Sequence, residues 1–225
     1  MSPVTAIVLA AGHSARLPGD VPKPFLAVRG RPMLGYSLAA FAAAPSVSAI
    51  VVAVPEDRLV SVPATAPKVV AVVAGGPSRQ ESLACALAQV PEDATVIAVH
   101  DAARPLVSPE VIEAVLAAVG NGTDGAVTAV PLDDAIKAVD DARTVVGPRS
   151  RAGLWRAQTP QAFRRSCLED ALRRALADGV LCDDCSEMAT RIGYAVRVVP
   201  GDPRNIKVTR PADLALCEAL LTAQG

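Results

Sequence analysis

Four short segments hold residue types suited to handling phosphate. The first, Ala10-Ala11-Gly12-His13-Ser14-Ala15-Arg16, follows an apolar run and leads on to Pro22-Lys23. Small residues let backbone amides come close to a nucleotide, and such amides bind phosphate oxygens. Arg16 and Lys23 bring two fixed positive charges to that loop. The stretch is neither a G-x-G-x-x-G loop nor a P-loop, since no Gly-Lys-Ser/Thr follows. A glycine turn with solvated surface cations would have the same spacing. The second segment, Gly75-Gly76-Pro77-Ser78-Arg79-Gln80-Glu81-Ser82, reads as a glycine turn opening a capped helix. The third, His100-Asp101-Ala102-Ala103-Arg104-Pro105, sets an acid near a base, either as a ligand clamp or as an internal ion pair. The fourth, Asn205-Ile206-Lys207-Val208-Thr209-Arg210-Pro211, delivers another cation just before the last helix.

These segments need a frame that brings them together. Apolar runs at Thr5–Ala10, Ala49–Val54, Val69–Ala74, Thr95–Val99, Ala126–Val130 and Val196–Val199 read as strands, several of them continuous enough to be buried on both faces. Helices are predicted near 33–44, 79–90, 109–119, 167–178, 184–192 and 211–223. Ser78/Glu81 and Ser166/Glu169 fit capping boxes, and Ser108-Pro109 sets a capping hydroxyl before a first-turn proline. Gly179 and Gly193 stand where a left-handed C-terminal residue is wanted. Alternating strands and helices predict an α/β fold of the Rossmann-like kind, a mostly parallel sheet with helices on both faces. Such sheets bind ligands at the carboxyl ends of their strands, where the first three segments fall.

Residues 131–158 break the alternation. Asp134–Val139 and Arg143–Val146 read as two antiparallel strands around Asp140-Asp141-Ala142. A ribbon of this kind does not bury two faces alone, so it is expected to pack on a second subunit within a single 225-residue domain. The alternative is a surface hairpin.

Composition removes several function classes. Lys plus Arg (22) against Asp plus Glu (23) gives a formal net charge of −1, which argues against an extended nucleic-acid footprint. Aromatic residues at 3% are too few for a base-stacking platform. No apolar stretch is long enough to span a membrane, and no basic region precedes the first apolar run, so a cytoplasmic location is expected. The five cysteines are read as reduced thiols. Cys182-Asp183-Asp184-Cys185 lacks a second pair of soft ligands for zinc, since His13 and His100 are the only histidines.

The four segments, with Arg151-Ala152-Gly153-Leu154-Trp155 and Thr159-Pro160-Gln161, resemble the 2-C-methyl-D-erythritol 4-phosphate cytidylyltransferase family from about Val4 to Leu221. The resemblance implies a nucleotidyltransferase fold with a protruding arm that builds a homodimer. It implies that Ala10, Ala11, Gly12, Gly76 and Ser82 form the cytosine pocket and that Arg16 and Lys23 hold the CTP triphosphate. Asp101, Ala102 and Arg104 then lie around ribose and acceptor. Arg151 (from the partner's arm), Thr159 and Lys207 grip the methylerythritol phosphate. Mg²⁺ is implied as a cofactor bridging triphosphate oxygens, with Asp101 the nearest protein carboxylate. A phosphate monoester is already an anion at pH 7, so attack on the α-phosphorus needs no catalytic base.

Departures from the family pattern gather on the acceptor side. Ala135 and Cys182 stand where the family usually has threonine, removing two hydroxyls, while Ser14 replaces a second glycine and Pro24 a frequent glutamine. Three other readings therefore stand beside the first: a cytidylyltransferase for another polyol phosphate such as ribitol 5-phosphate, a non-catalytic nucleotide-binding homologue, and a dinucleotide oxidoreductase. The intact cations oppose the second, and the missing G-x-G-x-x-G opposes the third.

Overall fold

The runs at 5–10, 49–54, 97–99 and 126–130 are almost wholly apolar because both of their faces are covered, whereas those at 69–74 and 196–199 lie at the sheet edges and stay partly exposed. The computed structural model describes residues 3–12, 21–62, 66–120 and 122–223. Its strands are β1 (Val4–Leu9), β2 (Ala27–Val28), β3 (Arg31–Pro32), β4 (Val47–Val54), β5 (Val69–Ala74), β6 (Val96–Asp101), β7 (Gly125–Pro131), β8 (Ile136–Val139), β9 (Val145–Arg149), β10 (Trp155–Arg164) and β11 (Val196–Pro200). Its α-helices are α1 (Met33–Ala43), α2 (Arg79–Leu87), α3 (Pro109–Ala117), α4 (Arg165–Ala177), α5 (Cys185–Arg191) and α6 (Pro211–Thr222). Seven strands form one sheet in the order β11-β7-β10-β6-β1-β4-β5. All neighbours pair in parallel except β10, which runs antiparallel to both β6 and β7.

Period-two alternation sorts each strand between two cores. Ala6, Val8, Ile50, Val52 and Ala98 face Leu34, Leu38, Phe41, Ile112 and Val115 of α1 and α3. Ile7, Leu9, Val51, Ile97 and Val99 face Leu83, Leu168, Leu172 and Met188 of α2, α4 and α5. Fully burying each of these large side chains contributes roughly 1.5–3 kcal/mol, so the sheet is the rigid part of the molecule. α6 packs with β2 over a smaller cluster containing Val28, Met33, Leu106 and Cys217, which seats the 205–211 segment beside the strand ends.

Ser78 closes the expected capping box, accepting from the Glu81 amide (3.1 Å) while Glu81 accepts from the Ser78 amide (2.9 Å). Ser108 caps α3 as expected. Ser166 does not cap α4. That helix begins at Arg165, two residues before the predicted start at 167, and Glu169 is taken by the Arg165 guanidinium at 2.7 Å. Gly179 (φ +64°) and Gly193 (φ +92°) adopt the left-handed conformation just beyond α4 and α5. The 131–158 region holds an antiparallel pair, β8 and β9, whose second strand lies at Val145–Arg149 and not at Arg143–Val146. Arg143 takes a positive φ (+64°) in the connecting turn, which moves the second strand on by two residues.

β10 has no counterpart among the predicted strands, yet it sits at the centre of the sheet. Its sequence, WRAQTPQAFR, has no β-branched run and contains a proline, which central strands normally exclude. The ladder accommodates this because pairing with β7 breaks between Ala157 and Gln161.

Candidate active site

The carboxyl ends of β1, β5 and β6 converge on a cavity of about 380 Å³. Ala11 and Gly12 line it from the first segment, Lys23 from the segment's end, Gly76 and Ser82 from the second, Asp101 from the third and Lys207 from the fourth. The small residues are required by close approach of two loops. A Cβ on Gly75 would meet the Ala11 Cβ at 2.2 Å, and one on Gly76 would meet the Glu81 Cβ at 2.4 Å. A Cβ on Gly12, which lines the cavity, would meet nothing within 4 Å among the described residues. Ser82 turns its hydroxyl to the Ser78 carbonyl at 2.9 Å, with the Gly76 carbonyl at 3.2 Å, fixing the glycine turn onto α2.

Asp101 does not pair with Arg104. Its Oδ1 accepts from Arg79 Nε at 3.1 Å and its Oδ2 from Lys207 Nζ at 2.7 Å. Burial alone would raise the Asp101 pKa. Arg79 and Lys207 outweigh burial and hold the carboxyl well below the usual carboxylate range, so it is ionised at neutral pH. Arg79, which the sequence reading quoted without a role, also donates from Nη1 to the Cys185 sulfur at 3.4 Å. Cys182 and Cys185 are free thiols, burial raises both thiol pKa values, and the described residues contain no group of three metal-ligating side chains.

His100, fully buried, ties the strand end together. The Arg104 carbonyl can only accept, so His100 Nε2 carries the proton (3.2 Å) and Nδ1 accepts from the Thr159 hydroxyl (3.0 Å). The Thr159 oxygen in turn accepts from the Asp101 amide at 3.1 Å. Burial pushes the His100 pKa down to about 4, against the pull of Asp101, so the ring is neutral at pH 7. Asn205, also buried, donates to the Thr159 carbonyl at 2.8 Å. Thr159 thus spends its hydroxyl on the Asp101 backbone and His100, inside the protein.

Arg104 points elsewhere, donating to the carbonyls of Asn205 (2.8 Å) and Ala157 (3.2 Å). It lines a second cavity of about 300 Å³ with Arg156, Gln158, Asn205, Thr209 and Lys207. Lys207 lines both cavities. Burial lowers the Arg104 pKa, and the like charge of Arg156 adds to this against the pull of Asp101. Arg104 Nε is buried with no partner among the described residues. Two guanidiniums facing one cavity, one with a spare donor, make a receptor for an anion. Arg156 was missed because its neighbours in sequence gave it no recognisable role.

The remaining candidates divide. Ala10 and Ala102 sit behind the cavity wall, their amides donating to the Ala53 and Leu9 carbonyls. Arg151 is exposed on the 131–158 region and donates to the Asp133 carbonyl. Arg16, with His13 and Ser14, lies outside the described residues.

A mostly parallel sheet with a loop of small residues and cations at its carboxyl edge, next to a cation-lined second compartment, defines a nucleotidyltransferase. Among such proteins, the chain belongs to the 2-C-methyl-D-erythritol 4-phosphate cytidylyltransferase family, whose profile matches residues 4–223. A curated member from Symbiobacterium thermophilum is 41% identical over 99% of this chain and 94% of its own length. Another from Frankia casuarinae is 44% identical over 97% of this chain and 81% of its own. The crystal structure of the 2-C-methyl-D-erythritol 4-phosphate cytidylyltransferase from Thermus thermophilus superposes with a TM-score of 0.81 at 31% identity, covering 98% of this chain and 99% of that one.

Proposed function

We infer that the chain joins CTP and 2-C-methyl-D-erythritol 4-phosphate to give 4-diphosphocytidyl-2-C-methyl-D-erythritol and pyrophosphate, a step of isoprenoid precursor biosynthesis. The observation that carries the site assignment is that Lys207 belongs to both cavities. CTP occupies the cavity of Ala11, Gly12, Gly76 and Ser82, and the polyol phosphate occupies the cavity of Arg104 and Arg156. The reacting phosphate oxygen and the α-phosphorus then meet at Lys207. A bond forms between that oxygen and the α-phosphorus, and the bond from the α-phosphorus to the departing pyrophosphate breaks. No proton must be removed from the nucleophile. Catalysis is positioning plus neutralisation of the charge spread over the transferring group, supplied by Lys23, Arg16 and Lys207. Removing one such donor costs on the order of 10²–10³ in rate.

The donor set fits a magnesium ion carried mainly by the substrate. Both Asp101 oxygens are engaged by cations, and Mg²⁺ characteristically needs only one or two carboxylates besides phosphates and waters. Asp101 would be the protein carboxylate nearest such an ion, reached when Lys207 leaves its Oδ2, and the ion would supply charge neutralisation for the departing pyrophosphate.

We read the 131–158 region as a dimer arm. Val139, Val145, Val146, Leu154 and Trp155 are all more than 40% exposed on it, a patch that a second copy would cover. The two-fold symmetry of such a dimer would carry Arg151 of one subunit to the acceptor cavity of the other. No helix among the described residues is long and apolar enough to cross a membrane, and we assign the reaction to the cytoplasm on the polarity of both substrates.

The test is pyrophosphate release with CTP across a panel of acceptors. Turnover with methylerythritol phosphate supports the assignment. Turnover with ribitol 5-phosphate alone would move it to the related enzyme that Ala135 and Cys182 suggested, and binding of CTP without turnover on any acceptor would leave only a nucleotide-binding protein.

A further inference from the structure

The two cations on Asp101 are not equivalent. Arg79 rises from the first turn of the capped helix α2, its side chain is 23% exposed, and a second contact to the Cys185 sulfur pins its fork from the α5 side. Lys207 comes from the loop before α6, is 44% exposed and, among the described residues, makes one side-chain ion pair, to Asp101 Oδ2. Asp101 itself is only 14% exposed. Among the described residues, His100 on its own strand, Arg104 in the following turn and Cys185 from α5 also act on it, and Lys23 lines the same cavity. Lys207 also lines the acceptor cavity, and its ammonium is a compact charge on a flexible stem. An incoming phosphate at the junction therefore competes with Asp101 for Lys207 and not for the pinned guanidinium.

We propose that Arg79 is a positioning residue, the fixed counter-ion of Asp101 that leaves Lys207 free to transfer from that carboxylate to the acceptor phosphate. With Arg79 present, Asp101 stays paired when Lys207 leaves. Without it, departure of Lys207 would strand a buried carboxylate, so Lys207 is withheld from the substrate. The proposal rests on the roles given above to Asp101 and Lys207. It also gives Cys185 a part that the C-x-x-C pattern did not disclose, as one side of the clamp on Arg79.

The experiment is a double-mutant cycle of Arg79→Met with Asp101→Asn, read by steady-state kinetics, CTP binding and thermal unfolding. Arg79→Met is expected to raise the KM for the acceptor at least ~10-fold, as expected when a buried charge pair is broken, with the Kd for CTP changed less than ~3-fold. Arg79→Lys should recover most of the loss. In the Asp101→Asn background, the same replacement should cost less than ~3-fold, because no carboxylate remains to compensate. Unfolding gives a readout independent of turnover: Arg79→Met should lower Tm by about 10 °C, and adding Asp101→Asn should restore part of it. Equal losses in both backgrounds, by kinetics and by Tm, would overturn the proposal and leave Arg79 as packing. If Arg79→Met does not fold, the cycle is run with Arg79→Lys, whose smaller KM effect must still vanish with Asp101→Asn. Full activity of Asp101→Asn and Lys207→Met would instead refute the site reading on which the proposal stands.

Discussion

Replacing His100 by glutamine should remove a specific part of the protein's acid sensitivity. The buried ring is neutral, donating to the Arg104 carbonyl and accepting from Thr159, and its pKa falls from 6.5 to about 4 on folding. A histidine with a depressed folded pKa binds more protons when unfolded, so stability rises with pH across that interval and is lost as pH falls through it. Above about pH 7.5 both states are essentially neutral and the group contributes little pH dependence. From the two pKa values the loss is about 2 kcal/mol by pH 5 and about 3 kcal/mol by pH 4. Asp101, whose pKa is depressed, also loses stability as pH falls, but its pairs with Arg79 and Lys207 are the larger cause, remain in both proteins and largely cancel in their difference. Glutamine can still donate to Arg104 yet does not titrate. Urea unfolding of both proteins at fixed concentration from pH 7.5 to pH 5 should therefore show the wild type losing about 2 kcal/mol more than His100→Gln. Parallel curves would refute the buried, neutral ring.

Gly12→Val should unfold within about 0.5 kcal/mol of wild type and yet lose CTP binding by calorimetry, because the added side chain enters the cavity wall without meeting any described residue. Mixing Arg151→Ala with Lys23→Ala subunits should restore about a quarter of wild-type pyrophosphate release, since half the dimers are mixed and one of their two sites is intact. Exchange of subunits without recovery would place Arg151 outside the partner's site. Chelation should abolish turnover, and magnesium added back should restore it in proportion to the metal–CTP complex formed. Retention of a stoichiometric metal after dialysis would contradict a substrate-carried ion.

The frame was legible because burial on both faces writes itself as unbroken apolar runs. Every predicted strand of the main sheet and every predicted helix has its counterpart, with ends displaced by at most three residues. β10 was not legible, because its place is secured by neighbours far along the chain while its own residues, including Pro160, argue against a strand. The small residues and Lys23 could be placed at the strand ends from spacing alone, since strand topology fixes where those ends meet. Partnership could not. Asp101 takes Arg79, 22 residues back, and Lys207, 106 residues on, in preference to the adjacent Arg104. Arg156 acquires its meaning only when β10 carries it beside Arg104 and the 205–211 segment. Ser166 shows the converse, a sequence signature overridden when a helix starts two residues early.

The central claim is that two adjoining cavities bring CTP and 2-C-methyl-D-erythritol 4-phosphate together at Lys207. Phosphorus NMR of one reaction holding CTP, methylerythritol phosphate and ribitol 5-phosphate at equal concentrations tests this most directly, because the two diphosphate products form in the ratio of the specificity constants. The account predicts that the methylerythritol product dominates from the first turnovers, with one pyrophosphate released per product. A product mixture dominated by the ribitol diphosphate, or the absence of any diphosphate ester, would contradict it.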